Sequence, residues 1–168
     1  NALMESAWEW LSAHVPTDLQ EGFSWGDARC ANMLFRGTAC VGVLDWDMVS
    51  LAGAEADLGW WLLHDWVASA GIGRLSGLAG PTETVRIWEE AAGRKARNLD
   101  FWLVFNLFRL GGIMILLKRF LIEGGTPVEA VVNIDWRNPA TSILQSRFGS
   151  GAPIGMGVWE DMAPAELA

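Results

Sequence analysis

The chain has 168 residues, enough for one domain with a sizeable core. It is 51% hydrophobic with eleven Trp, and only 19% of its residues are charged, a balance that excludes a disordered segment. The net charge of −8 disfavours nucleic-acid phosphates and anionic membrane surfaces as partners. The charge is uneven: residues 1–57 hold nine acids against two bases, so the N-terminal third is the acidic part. Cys30 and Cys40 are the only cysteines, without metal-ligand spacing, and the expected compartment is a reducing cytoplasm. His14 and His64 are too few for a zinc site or a Ser-His-Asp arrangement.

In chain order, residues 2–14 place Leu3, Met4, Ala7, Trp8 and Leu11 at helical spacing before Pro16 stops them, which predicts an amphipathic helix lying under the loop that follows. Residues 17–23 form a polar connector. The polar loop 24–32, Ser24 to Asn32, then runs into two strand-like stretches, Met33 to Arg36 and Cys40 to Trp46. Gly37-Thr38-Ala39 between them suits a tight hairpin. Closing that hairpin brings Asp27 and Asn32, just before its first strand, close to Asp45 at the end of its second. Two carboxylates and an amide oxygen suit a hard cation such as Mg2+, with one carboxylate left to accept a proton.

The remaining chain reads as helices. One is expected from about Ala56 to Ala68, with Asp57 in its first turn. There Asp57 either complements the helix dipole or braces the preceding loop. Residues 71–80 are glycine-rich but lack the Lys of a phosphate-binding loop, and are expected to be surface loop. A helix is expected from Pro81 to Gly93 and another from Leu99 to Ile122. The second is apolar all round, which suits a core helix. As a membrane span it is poor, because about 20 apolar residues are needed and the mid-span Arg109 costs roughly 2.5–3.5 kcal/mol on the insertion scale. Gly111-Gly112 should allow a close approach or a bend. After Gly124-Gly125, helices are expected over 127–136 and 140–148, the last capped by Asn138 with Pro139 at its first position. Residues 149–168 read as a tail that Trp159 could dock.

Asp27-Ala28-Arg29-Cys30-Ala31-Asn32 has the D-x-x-x-x-N spacing of a kinase catalytic loop, and Asp45 follows Asn32 by thirteen positions. With Gly26 before Asp27, and Asp45-Trp46-Asp47 after the hairpin, the stretch resembles the aminoglycoside phosphotransferase and choline kinase-like family of small-molecule kinases. Ala54 to Leu62 is similar to the segment after the family's metal-binding Asp, and Leu99 to Ile115 resembles a long helix of its acyl-CoA-dehydrogenase-associated branch. The resemblance implies a mainly α fold with a small β-hairpin, the C-terminal lobe of a protein-kinase-like α+β fold. That lobe would span residues 1–148, with the catalytic-type loop at 24–32 and the metal-site hairpin at 33–47.

By the same resemblance Asp27 is the catalytic residue. Asn32 and Asp45 are the metal and cofactor ligands, the cofactors are Mg2+ and ATP, and the acceptor is a small molecule with a hydroxyl group. The resemblance also makes Asp57 a brace for the loop. Two departures qualify it. Trp25 stands where the family usually has His, and offers an indole donor but no acceptor. The 26 residues before Asp27 do not read as an N-lobe with its phosphate-covering loop and strand Lys. The expectation is a lobe inactive in isolation, partnered by a missing N-lobe or by a second copy in a homodimer. The alternative is a pseudokinase-type binding module. A membrane-associated helical protein is a weaker third reading.

Overall fold

The computed structural model describes residues 2–69 and 73–149, so the tail reading and Trp159 lie outside the described residues. It is mostly helical with a single two-stranded antiparallel sheet, as expected. Its residues fall into two compact units. Among the described residues, one contains 16–103 and the other joins 2–15 to 104–149.

The unit holding residues 16–103 carries the hairpin and two helices. β1 (Met33–Arg36) and β2 (Ala39–Val43) pair with Met33 opposite Val43 and Arg36 opposite Ala39, and the register shifts between Leu34 and Phe35. The second strand begins one residue earlier and ends three residues sooner than the apolar pattern suggested. Leu44 still donates its N–H to the Asn32 carbonyl at 2.8 Å, and Asp45 then turns the chain with a φ of 61°. Before the hairpin, Ser24 exchanges backbone hydrogen bonds with Ser50 at 3.0 and 3.1 Å, so the loop's two ends are tied together. Gly53 donates to the Gly22 carbonyl at 2.9 Å and sits at a φ of 89°, where a Cβ would lie 2.3 Å from the Gln20 carbonyl oxygen.

That turn delivers the chain into α2 (Ala54–Ser69), whose Leu58, Trp60, Leu62, Leu63 and Trp66 are buried. α3 (Pro81–Ala92) opens on Pro81 and closes on Gly93 in the left-handed conformation, the terminal pattern the sequence implied. Arg94, just beyond it, reaches back to the buried Glu55 with both guanidinium nitrogens, one at 3.0 Å, and lies 5.0 Å from the Trp88 ring. Burial pushes the Glu55 carboxyl up, but the Arg94 hydrogen bonds and charge, together with backbone N–H donors, outweigh it and hold the group below its ordinary value.

The second unit has helices joined by turns and no strand among its described residues. α1 (Ala2–Ala13) buries Met4, Ala7 and Leu11 and packs on α6 (Pro139–Gly149). Where the sequence suggested that this helix lies under the loop, its apolar stripe is used within this unit. α4 (Leu99–Glu123) receives the Met4 thioether against Gly111, where a Cβ would lie 2.9 Å from the sulfur. The close-approach reading of Gly111 therefore holds, while Gly112 faces open space.

Apolar composition all round α4 does not mean burial all round. Its first half buries Leu103, Val104 and Leu107, whereas Leu116 and Phe120 are 66% and 72% exposed. By length and composition alone α4 could cross a membrane. The segment expected as a helix over 127–136 is one turn, α5 (Val128–Val131), followed by turns through Trp136. Asn138 caps α6 as anticipated: its Oδ1 accepts the Thr141 N–H at 3.1 Å.

Gly53→Ala should lower unfolding stability by about 3 kcal/mol, from left-handed strain and the collision with Gln20. Chemical denaturation followed by tryptophan fluorescence measures it. Gly37→Ala, at a φ of 61° but with open space around it, keeps the strain without the collision and should cost about 1 kcal/mol.

Candidate active site

Two α2 positions, Asp57 and Trp60, and the loop before β1 build the site. Asp57 lies in the first turn of α2, and each of its carboxylate oxygens faces the loop. Oδ2 accepts the Trp25 N–H at 2.7 Å. Oδ1 accepts the Gly26 N–H at 2.7 Å and the Ser24 hydroxyl at 3.0 Å. Both sequence readings placed Asp57 as structural, and the structure selects the brace. Gly26 adopts a φ of 92°, and a Cβ there would sit 2.1 Å from the Met48 carbonyl oxygen, so only glycine lets the loop pass.

One turn along α2, the buried Trp60 donates its indole N–H to Asp27 Oδ1 at 2.7 Å. The other Asp27 oxygen accepts Asn32 Nδ2 at 2.6 Å and Arg29 Nε at 2.9 Å. Asn32 Nδ2 also donates to the Asp27 backbone carbonyl at 3.1 Å. Burial pushes the Asp27 carboxyl up, yet the hydrogen bonds from Trp60, Asn32 and Arg29, with the Arg29 charge, bring it below its ordinary value. The group is therefore ionised at neutral pH and fixed in orientation. Oδ2 accepts two protein donors and Oδ1 accepts one, so Oδ1 keeps acceptor capacity for a further donor.

Asp27 and Asn32 are thus in direct contact. Asp45 is reached through the backbone: Leu44 is bonded to Asn32, and Asp45 follows it with an exposed side chain. The Trp25 indole donates to the carbonyls of Leu44 at 2.8 Å and Asp45 at 3.2 Å, pinning the turn that aims Asp45. Trp25 therefore braces the loop from the hairpin end while Asp57 braces it from the helix end. No group of three or more His, Cys, Asp or Glu side chains that could hold a metal ion occurs among the described residues. The donor set at hand is one amide oxygen and one carboxylate. Asn32 spends its nitrogen on Asp27, which turns its oxygen free as a ligand. Such a set fits a hard cation that takes most of its remaining oxygens from elsewhere.

Trp60 is the contact that sequence reading missed. The signal was present: Trp60 follows Asp57 by three residues, so both occupy the α2 face that meets the loop. Arg29, read from the sequence mainly as a partner within the loop, holds that place at Asp27. Cys30 is exposed, and burial with the nearby Asp65 charge pushes its thiol up, away from nucleophile chemistry.

Comparison with known proteins fits this geometry. The sequence profile of a phosphotransferase enzyme family matches residues 1–94, more than half of the chain. The chain belongs to that family. A crystal structure of a Ralstonia eutropha JMP134 protein, provisionally named an aminoglycoside phosphotransferase, superposes with a TM-score of 0.68 at 21% identity. The match covers 96% of this chain and 49% of that one, so this chain spans about half the length of the solved relative. The fold is shared with a kinase-like phosphotransferase.

Asp57→Ala removes three hydrogen bonds to an ionised acceptor and should destabilise the unit by about 3 kcal/mol. Trp25→Phe keeps a ring but loses the indole donor, and should cost about 1 kcal/mol. Denaturant midpoints rank the two variants. Equal losses would mean that the hairpin end of the loop is as tightly dependent on its brace as the helix end.

Proposed function

We propose that the chain is the C-lobe part of a phosphotransferase that moves the γ-phosphoryl group of ATP to a hydroxyl of a small molecule. The observation that carries this reading is the Asp27 carboxylate, fixed by Trp60, Asn32 and Arg29. Asp27 orients the acceptor hydroxyl and takes its proton. Its depressed pKa favours orientation over strong basicity, which suits a reaction driven by positioning and electrostatics. Asn32 and Asp45 would hold Mg2+, which would neutralise charge on the ATP phosphates. Arg29, with Nε on Asp27, keeps its remaining guanidinium N–H groups for phosphate.

The reading includes dependence on a second lobe. The family's phosphate-covering loop and Lys have no counterpart in the sequence, and the chain matches about half of its solved relative. Phe23, Leu34, Phe35, Val41 and Trp46 are all exposed around the hairpin, an apolar surface that a missing N-lobe or a second copy of the chain would cover. A pseudokinase-type module remains the second reading, favoured by Trp25 in the loop. Against it, Trp25 keeps the loop closed. The proposed compartment is the cytoplasm, with no nucleic-acid or membrane partner.

The 168-residue chain alone should show negligible ATP-dependent phosphotransfer and weak Mg2+ binding by calorimetry. In a full-length protein, Asp27→Ala and Asp45→Asn should each abolish turnover while leaving the circular dichroism spectrum unchanged. The acid limb of the rate profile should lie below the ordinary Asp value of 3.8, because the Asp27 pKa is depressed and the reactive anion survives until pH falls through the lowered value. Normal turnover by the Asp45 variant would remove that residue from the site. Sedimentation of the chain across a concentration series should reveal a discrete dimer, and a strict monomer at high micromolar concentration would exclude it.

A further inference from the structure

Trp61, His64, Asp65 and Ala68 recur along α2 at helical spacing, on a face adjoining the one that holds Asp57 and Trp60. They form one wall of a cavity of about 450 Å3. Arg29, Cys30 and Ala31 of the catalytic-type loop form another, and Leu75 and Leu78 close it from the loop after α2. The cavity therefore shares Arg29 with Asp27, whose carboxylate is 2.9 Å from Arg29 Nε. It also contains the immediate neighbour of Trp60, which holds the other Asp27 oxygen. Its volume is that of a small-molecule site.

The charge inside it is already spent. Asp65 is the only carboxylate on its described lining. It is bonded to Arg74, whose Nη1 also donates to the Ala79 carbonyl at 2.9 Å, which fixes the pair in place. Arg29 is the other formally charged lining group and it is cationic. A polycationic amino sugar needs an anionic partner for each ammonium it brings out of water, and this wall offers none that is free. Trp61, Leu75, Leu78 and Ala68 offer apolar contact instead.

We infer that the acceptor site takes an alcohol with an apolar body and no ammonium groups, seated between Trp61 and Leu78 with its hydroxyl toward Asp27. This names the substrate class of the phosphotransfer reading and rests on it.

Cys30 lines the cavity and Cys40 lies on the hairpin, and both thiols are exposed, so they report occupancy against an internal control. The test is alkylation of the full chain by iodoacetamide, followed peptide by peptide in the mass spectrometer, with 4-phenyl-1-butanol and kanamycin as the two probes. The expected result is saturable, several-fold slowing at Cys30 by the phenyl alcohol, no change at Cys40, and no effect of kanamycin. Ala68→Trp, which fills the cavity from an exposed helix position, should abolish the protection. Leu78→Asp, at a half-exposed loop position, should do the same. Protection by kanamycin in place of the alcohol would overturn the substrate class. Equal slowing at both thiols, no protection at any concentration, or protection that survives both variants would overturn the site. Because the assay needs no ATP and no turnover, its failure is separate from a failure of Asp27→Ala to affect phosphotransfer in the full-length protein.

Discussion

The carboxylate of Asp57 is the point on which the loop depends. It takes three donors from three consecutive residues, the Ser24 hydroxyl and the Trp25 and Gly26 backbone N–H groups. An ionised acceptor gives each of those bonds more strength than a neutral one. It also turns two successive amide groups toward one centre, which forces Gly26 into its left-handed conformation and directs the following residue, Asp27, inward. The position of the Asp27 carboxylate is therefore set by a second carboxylate, that of Asp57.

α2 does this work because its residues repeat with the helical period. Asp57 and Trp60 address the loop; Trp61, Asp65 and Ala68 address the neighbouring cavity. A single rigid element thus holds both the brace and one wall of the space beside it, so the two cannot drift independently. Trp60 is buried and aromatic, and its one polar atom is spent on Asp27. The ring supplies packing area and the N–H supplies direction. Because the hydrogen bonds reaching Asp27 outweigh the cost of its burial, the site keeps an anion at neutral pH in a largely enclosed place.

Much of this was legible in the sequence, for physical reasons. The hairpin showed in its apolar runs and turn residues. The helices showed in their periodicity, with Pro81, Gly93 and Asn138 marking ends. The D-x-x-x-x-N spacing marked the loop, since an Asn five residues after an Asp can fold back on it only if the chain turns tightly, as it does through the short helical turn Cys30–Asn32. Less legible was anything that depends on which partner a side chain meets. Apolar composition along α4 could not say that burial stops near its middle. The amphipathic pattern of α1 specified a buried stripe but not the surface that would receive it. Residues 127–136 carried enough helix formers to suggest a helix, yet only one turn forms, because propensity over so short a stretch yields to the turns that follow. The substitution of Trp for His at position 25 was visible, but its role was not. The carbonyls it binds lie nineteen and twenty residues away.

Asp45 adopts a φ of 61°, a region that Asp, Asn and Gly enter at little cost and that β-branched residues avoid. Its side chain is exposed, and what holds its backbone is the indole of Trp25 acting on carbonyl groups that any residue would supply. The architecture therefore treats position 45 as replaceable in a way that position 57 is not. One nucleotide change in an Asp codon yields Asn or Gly, and either would leave the turn, the hairpin and the loop as they are while removing the charge. A lineage carrying this fold can lose the Asp45 carboxylate in one step and keep a folded scaffold for selection to act on. At Asp57 the same step would weaken the hydrogen bonds that hold the loop in place.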